Sequence, residues 1–124
     1  MARRILVVED DEKSRRLLTD VLGWHGYEVA AVESGELGIL EASAKRPDAA
    51  LLDIQLPGIN GFDLLAALRA DGRAPFPAVA VTASVMDPDR RRILAAGFDA
   101  YVGKPVNIRE LLDTLERLLA GDRP

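Results

Sequence analysis

Short apolar runs alternate along the chain with longer segments in which apolar residues recur every three or four positions. The short runs are of strand length and rich in β-branched side chains, whereas the longer segments carry an apolar face at helical spacing. The pattern predicts five strands that alternate with five helices. Such an alternation is typical of an α/β domain with a parallel sheet and right-handed crossover connections.

The predicted strands are apolar runs that end at turn residues or acids, and they occupy 5–8, 27–32, 48–53, 78–82 and 100–103. The second run is the most polar of them, which predicts an edge strand. The first, third and fourth runs lack an alternation of apolar and polar residues, as expected for strands that helices cover on both faces.

The predicted helices lie between these strands, and they occupy 12–24, 35–45, 61–70, 87–97 and the segment after Asn107. Asp87 followed by Pro88 predicts the start of the fourth helix, because proline is favoured at the first helical position. Asn107 and Glu110 have the spacing of a capping box, and the last helix carries a continuous apolar stripe.

Packing roles can be assigned to several residues of the first two helices. Leu37, Leu40 and Ala44 share one face of the second helix, which we expect to be its apolar packing face. Trp24 ends the first helix and is expected to serve packing. His25, the only histidine, is expected to be a surface residue whose cationic form interacts favourably with the C-terminus of the first helix.

Length and composition bound the class of protein. A chain of 124 residues fits one domain, and 48% hydrophobic with 29% charged residues is typical of a globular one. The net charge of −4 argues against a non-specific nucleic-acid binder, and the absence of cysteine excludes disulfides and thiolate chemistry. Since no apolar segment approaches the length of a membrane span, we expect a soluble, cytoplasmic protein without membrane attachment.

Polar residues follow the predicted strands at their carboxyl ends. Glu9 and Asp10 follow the first strand, Asp53 ends the third, Thr82 ends the fourth and Lys104 follows the fifth. In open α/β sheets this edge carries the ligand crevice, next to the point where the strand order reverses. For a sheet of order 2-1-3-4-5 the reversal lies between strands 1 and 3, so the three acids flank it.

Three carboxylates this close together repel one another unless they take up protons or bind a cation. An oxygen-rich site of this kind suits Mg²⁺. With the Thr82 hydroxyl and the Lys104 ammonium it suggests phosphoryl chemistry, in which Asp53 can be the nucleophile that forms an acyl phosphate. The Pro57–Gly61 turn that follows Asp53 is expected to leave this carboxylate accessible.

Four segments carry a resemblance to a known family: "ILVVEDDE", "LLDIQLPGINGFDLL", "VAVTA" and "YVGKP". In this order and spacing they resemble the receiver domain of two-component response regulators, the CheY-like family. The resemblance covers essentially the whole chain. It implies a (βα)5 flavodoxin-like sandwich over residues 1–124, with no output domain because the tail "GDRP" is too short to form one.

The resemblance also implies roles for individual residues. Asp53 would be the phosphorylation site, Asp10 would bind Mg²⁺ directly, Glu9 would bind it through water, and the backbone carbonyl of Gln55 would be a further ligand. Gln55 and Ser84 stand at positions that tune the lifetime of the phosphate in this family.

For the phosphorylated state, the resemblance implies that Thr82 and Lys104 hold the phosphoryl group. Thr82 and Tyr101 would form a switch pair that alters the face made by helix 4, strand 5 and helix 5. The donor would be a sensor histidine kinase or a histidine phosphotransfer protein, and a downstream protein would read the signal. The receiver would be a monomer or weak dimer that catalyses only its own phosphorylation and slow dephosphorylation.

Other functions fit the sequence less well. A phosphatase of the haloacid-dehalogenase type needs a second acid two residues after its nucleophile, where Gln55 stands. A flavodoxin-like flavin binder would need a phosphate cradle after strand 1, and the "EDDE" acids repel phosphate. A receiver used only for docking, without phosphorylation, and a receiver segment of a hybrid kinase both stay open.

Overall fold

The computed structural model describes residues 2–70, 75–83 and 87–121, apart from the side chains at 87 and 88. Its strands are β1 (Arg4–Val8), β2 (Glu28–Val32), β3 (Ala49–Asp53), β4 (Ala78–Thr82) and β5 (Ala100–Gly103). They form one sheet of order β2-β1-β3-β4-β5, and every neighbouring pair is parallel. The predicted fold and strand order are confirmed.

The helices of the described chain are α1 (Glu12–Trp24), α2 (Gly35–Ala44), α3 (Gly61–Leu68), α4 (Asp87–Ala95) and α5 (Ile108–Leu119). Helices α1 and α5 pack on one face of the sheet around Leu22, Leu111 and Leu115. Helices α2, α3 and α4 pack on the other face, around Leu64 and Ile93. Because helices cover both faces, β1, β3 and β4 are almost wholly buried, while β2 is a half-buried edge strand.

A polar side chain caps each of four helices, and its oxygen accepts the backbone N–H three residues later. The caps are Asp11 for α1, Ser34 for α2, Asn60 for α3 and Asn107 for α5. Each cap satisfies an N–H group that has no partner inside its own helix. The starts of α2 and α5 were therefore predictable from Ser34 and Asn107.

The prediction for the packing face of α2 is wrong. Leu37 is 39% exposed and Leu40 is 65% exposed, while Gly35 and Gly38 are buried. A Cβ atom on Gly38 would lie 2.8 Å from Cγ2 of Val8, so the missing side chain is what allows α2 to approach β1 closely. The contact face therefore consists of these glycines with Ile39 and Ala42, and the leucines point outward.

Trp24 is 83% exposed, so its predicted packing role is also wrong. The buried residues of α1 are Leu18 and Leu22, and a residue two positions beyond Leu22 lies on the opposite side of a helix. The surface position of His25 is confirmed, since its side chain is 41% exposed; its ring nitrogen lies 3.0 Å from a carboxylate oxygen of Glu116 on α5.

Helix α4 ends at Ala95, two residues before the predicted end at Gly97, which adopts a positive φ of 105°. The structure does not describe the side chains at 87 and 88, so their predicted role at the helix start lies outside the described residues. Ser84 lies outside them as well. None of the helices within the described ranges is long and apolar enough to cross a membrane.

Candidate functional site

Three carboxylates converge at the carboxyl edge of the sheet, between β1 and β3. Val8 pairs with Leu52, so the next residues, Glu9 and Asp53, come side by side. Glu9, Asp10 and Asp53 each offer an oxygen within 4.8 Å of the others. Glu9 is 2% exposed and Asp53 3% exposed, whereas Asp10 faces solvent. The prediction that the turn leaves the Asp53 carboxylate accessible is therefore wrong, because β3 ends in the buried centre of the sheet. The predicted juxtaposition of these acids is therefore present.

Lys104 reaches this acid cluster from the end of β5. Its Nζ lies 2.7 Å from Oδ2 of Asp53 and 3.0 Å from Oε1 of Glu9. Its backbone N–H donates to the carbonyl of Thr82 at 2.8 Å, which ties the β5 end to the β4 end. The peptide bond that follows, between Lys104 and Pro105, is cis.

The pairing with Lys104 has electrostatic consequences. Burial raises the pKa of Glu9, which the hydrogen bonds from Asp11 and Lys104 only partly offset. Partial burial would lower the pKa of Lys104, but its hydrogen bonds to Asp53 and Glu9 outweigh that effect and raise it. Lys104 therefore stays an ammonium ion and acts as the resident cation of the cluster.

The loop after β3 is shaped by close backbone contacts. The N–H of Gln55 donates to Oδ1 of Asp53 at 2.9 Å, and the N–H of Gly61 donates to the carbonyl of Ile54 at 3.0 Å. A Cβ atom on Gly61 would lie 2.6 Å from the Asp53 carbonyl oxygen and 2.7 Å from Cα of Ile54. Glycine is thus required for α3 to begin directly against the backbone of Asp53.

The loop between β1 and α1 is held by its own acids and by one arginine. Oε2 of Glu9 accepts the N–H of Asp11 at 3.1 Å, and Oδ2 of Asp11 accepts the N–H of Ser14 at 2.9 Å. The Arg15 guanidinium donates to the carbonyl oxygens of Glu9 at 3.0 Å and Asp10 at 3.4 Å. Hydrogen bonds therefore hold both the carboxylate side chains and the backbone carbonyls of this loop.

Thr82 is buried at the end of β4 and borders a cleft of about 290 Å³ beside the acid cluster. Gln55 and Asn60 line the cleft from the loop after β3, and Arg92 lines it from α4. The Arg92 guanidinium lies 4.2 Å from the centroid of the Phe62 ring, a cation–π contact that joins α4 to α3.

Tyr101 is half-buried on β5, and its hydroxyl accepts a hydrogen bond from Nη1 of Arg90 at 3.3 Å. Tyr101 pairs with Ala80 and Gly103 pairs with Thr82, so the predicted switch residues lie two register positions apart on neighbouring strands. Switching by Thr82 and Tyr101 stays a prediction, as does metal binding by the Gln55 carbonyl.

The donor set fits a hard divalent cation. Three carboxylates and one ammonium carry a formal charge of −3 + 1 = −2, which one Mg²⁺ ion would neutralise. Carboxylate oxygens are the protein ligands that this ion prefers. Two of the acids are buried, and Lys104 alone does not neutralise the cluster, so a further cation is favoured at this position.

Two residues of the site, Arg15 and Gly61, were not predicted from the sequence. The sequence carries no specific signal for Arg15, because Lys13 stands nearer the start of α1 and opposes the helix dipole more strongly. Gly61 is recognisable in the sequence only as part of a turn. Its close approach to Asp53 depends on the tertiary fold, which a local sequence pattern does not indicate. His25 is paired with Glu116 and does not belong to the acid cluster.

Comparison with known proteins agrees with this geometry. The family model of the response regulator receiver domain matches residues 5–116. The polar-differentiation response regulator DivK of Brucella anthropi is 34% identical over 98% of this chain and 99% of its own length.

Solved receiver structures have the same fold. A CheY-like receiver from Methanospirillum hungatei is 31% identical with a TM-score of 0.89, covering 98% of this chain and 97% of that one. The receiver of a sensor histidine kinase from Pseudomonas aeruginosa is 33% identical with a TM-score of 0.87, covering 97% and 99%. That receiver holds a magnesium ion in its active-site cleft. The chain described here belongs to the response regulator receiver domain family.

Proposed function

We propose that this chain is the phosphoacceptor of a two-component phosphorelay. It takes a phosphoryl group onto Asp53 from a phosphohistidine of a sensor histidine kinase or a histidine phosphotransfer protein. The observation that carries the proposal is the position of Lys104, whose Nζ lies 2.7 Å from Asp53 and 3.0 Å from Glu9 at the ligand-binding edge of the sheet.

In the transfer step, a carboxylate oxygen of Asp53 attacks phosphorus as the P–N bond of the donor breaks. The products are an acyl phosphate on Asp53 and the imidazole of the donor, which leaves in its neutral form because its other ring nitrogen carries a proton. Lys104 is already placed at the attacking carboxylate, so its charge can stabilise the phosphoryl oxygens without large reorganisation.

Glu9, Asp10, Asp53 and the carbonyl of Gln55 would hold Mg²⁺, with Glu9 acting through water. The bound ion supplies charge neutralisation for the phosphoryl oxygens. Support comes from the oxygen-rich cluster in this chain and from the magnesium ion in the Pseudomonas aeruginosa receiver. The chain acts only on itself, through its own phosphorylation and slow dephosphorylation, and is not otherwise an enzyme.

For the output, the Thr82 hydroxyl would move toward the phosphoryl group and the Tyr101 ring would turn inward. The loss of the contact between Tyr101 and Arg90 would change the face formed by α4, β5 and α5. Receiver domains interact with kinases and downstream targets in two-component systems. We expect a downstream protein to bind the altered face of this chain.

Phosphorylation can be tested by incubating the protein with acetyl phosphate and Mg²⁺ and measuring its intact mass, with the Asp53→Asn variant alongside. We expect a gain of one labile phosphoryl group that needs Mg²⁺ and is absent from the variant. No gain with acetyl phosphate or with a panel of phosphorylated kinases, while Mg²⁺ still binds, would instead indicate a docking receiver.

Switching can be tested separately by recording amide NMR spectra with and without beryllofluoride and Mg²⁺. We expect shifts at Tyr101 and along α4, β5 and α5. A Thr82→Ala variant should keep the shifts around Asp53 and lose those around Tyr101. Identical spectra on this face in the wild-type protein would contradict the proposed output surface.

A further inference from the structure

Arg15 makes an unusual contact next to the acid cluster. Its Nη1 atom lies 3.0 Å from the carbonyl oxygen of Glu9 and 3.4 Å from that of Asp10. One guanidinium nitrogen therefore joins the carbonyls of two successive residues. The carboxylates of the same two residues form the cluster with Asp53.

The position of Arg15 is not explained by helix stability. It stands four residues after the N-cap Asp11, at the N-terminal end of α1, where a positive charge gains nothing from the helix dipole. Within the described part of the chain, Arg15 forms no ion pair with a carboxylate. The hydrogen bonds that its guanidinium makes in this part of the chain are those with the two carbonyls.

We propose that Arg15 is a positioning residue for the divalent-cation site. It holds the loop between β1 and α1 in the shape that brings the carboxylates of Glu9 and Asp10 to Asp53. The inference rests on the proposed function, since it concerns the same Mg²⁺ site. Asp10 depends most on this support, because it is the exposed member of the cluster.

Two effects of Arg15 on the cation oppose each other. Its positive charge repels Mg²⁺, whereas its hydrogen bonds preorganise two of the ligands. The guanidinium is directed at carbonyl oxygens, whose partial negative charge it already offsets. Hydrogen bonds to the ligating side chains of metal sites typically change metal affinity by about 10- to 100-fold, and we expect contacts to the backbone that carries the ligands to act at the low end of that range and to exceed the repulsion.

The test is an isothermal titration of the metal-free protein with Mg²⁺. The variants are Arg15→Met, which removes the donors and the charge, and Arg15→Lys, which keeps the charge but not the planar donor group. Arg16→Met is the matched control, because Arg16 is the exposed neighbour on the same helix. Asp10→Asn is the control for loss of a ligand.

We expect Arg15→Met to raise the Mg²⁺ dissociation constant about tenfold, Arg15→Lys to raise it less, and Arg16→Met to leave it within about twofold. Amide NMR spectra should show Arg15→Met folded, with shifts at Asp10 and Asp11. The melting temperature without metal separates a general loss of stability from a loss of metal affinity.

An unchanged or tighter dissociation constant for Arg15→Met, with Asp10→Asn weakened, would overturn the positioning role and leave the proposed function intact. An equal weakening by Arg16→Met would also overturn it, because the effect would then not depend on the hydrogen bonds that Arg15 donates to the two carbonyls. Failure of the wild-type protein to bind Mg²⁺ would refute the proposed function and with it the role of Arg15.

Discussion

The Lys104 ammonium lies 2.7 Å from Oδ2 of Asp53, although the two residues are 51 positions apart in the chain. The same nitrogen lies 3.0 Å from Oε1 of Glu9, so one cation serves two carboxylates whose side chains are each 3% exposed. Buried carboxylates without a counter-ion are strongly unfavourable. In the metal-free protein, Lys104 therefore has a structural function in addition to its proposed function in phosphoryl transfer.

Removal of Lys104 should destabilise the metal-free protein. We expect Lys104→Met to lower the free energy of unfolding by about 1–2 kcal/mol at neutral pH, because Glu9 and Asp53 lose their shared counter-ion. Mg²⁺ should stabilise the variant more than the wild type, since it no longer competes with the ammonium. Urea unfolding with and without saturating Mg²⁺ measures both effects.

The control for this change is Lys45→Met. Lys45 pairs with Glu28 at 3.3 Å, but both side chains are largely exposed, so their pair contributes little. Equal unfolding midpoints for Lys104→Met and Lys45→Met would show that the buried pair has no such role.

Substitution of Gly61 should disturb Asp53 without changing any predicted site residue. A Cβ atom at this position meets the Asp53 carbonyl and Cα of Ile54, and backbone atoms cannot rotate away as a side chain would. We expect Gly61→Ala to lower stability by about 1–3 kcal/mol and to slow phosphorylation by acetyl phosphate. Thermal unfolding and intact mass measure these two effects.

Gly23→Ala is the matched control. Gly23 lies in α1, and a Cβ atom added there would meet no neighbouring group within 4 Å, so alanine should raise stability by about 0.5–1 kcal/mol. Destabilisation by both alanine substitutions would mean that the short distances at Gly61 are not the cause.

Acid should weaken the N-cap of α1. The backbone N–H of Ser14 donates to the Asp11 carboxylate and lowers its pKa below the ordinary value of 3.8. The contribution of Asp11 to stability is thus fully present above that value and is lost as the pH falls through the lower pKa of the folded state. Asp11→Asn keeps a capping oxygen without titrating, so its stability should fall less between neutral and acidic pH.

Urea midpoints measured over this pH range compare the wild type with Asp11→Asn and Asp11→Ala. The alanine variant should be less stable than both at neutral pH, because it lacks the cap. Parallel pH profiles for the wild type and Asp11→Asn would contradict the assigned role of the carboxylate.

The outward orientation of the α2 leucines can be checked by truncation. Leu40 is 65% exposed, so Leu40→Ala should change the free energy of unfolding by no more than about 0.5 kcal/mol. Leu65 on α3 is 1% exposed, and Leu65→Ala should cost about 2–5 kcal/mol through lost burial and the cavity that it leaves. A similar loss of unfolding free energy in the two variants would instead support the packing face of α2 that the sequence predicts.

The predictable elements were those with strong local signals. Apolar runs of strand length located all the strands to within about one residue. The caps Ser34 and Asn107 located two helix starts. The packing of α2 was not predictable from hydrophobicity, because Gly35 and Gly38 contribute to the contact by lacking side chains. A prediction from periodicity uses only the positions of apolar residues, so it assigned Leu37 and Leu40 to the packing face of α2.

The sequence by itself determined the order of strands and helices and the position of each polar residue at a strand end. With the rule that carboxyl ends of parallel strands share one edge, this was sufficient to place Glu9, Asp10 and Asp53 together. Local patterns carry this information because strand and helix periodicities are set by backbone geometry within a few residues.

Only the tertiary structure decided the contacts between residues far apart or between backbone and side chain. It determined which carboxylate oxygens Lys104 meets, how closely Gly61 approaches Asp53, and which face of α2 is buried. These contacts depend on strand register and on the fit of whole elements against one another. Packing at near-crystalline density selects among arrangements that a one-dimensional pattern leaves equivalent.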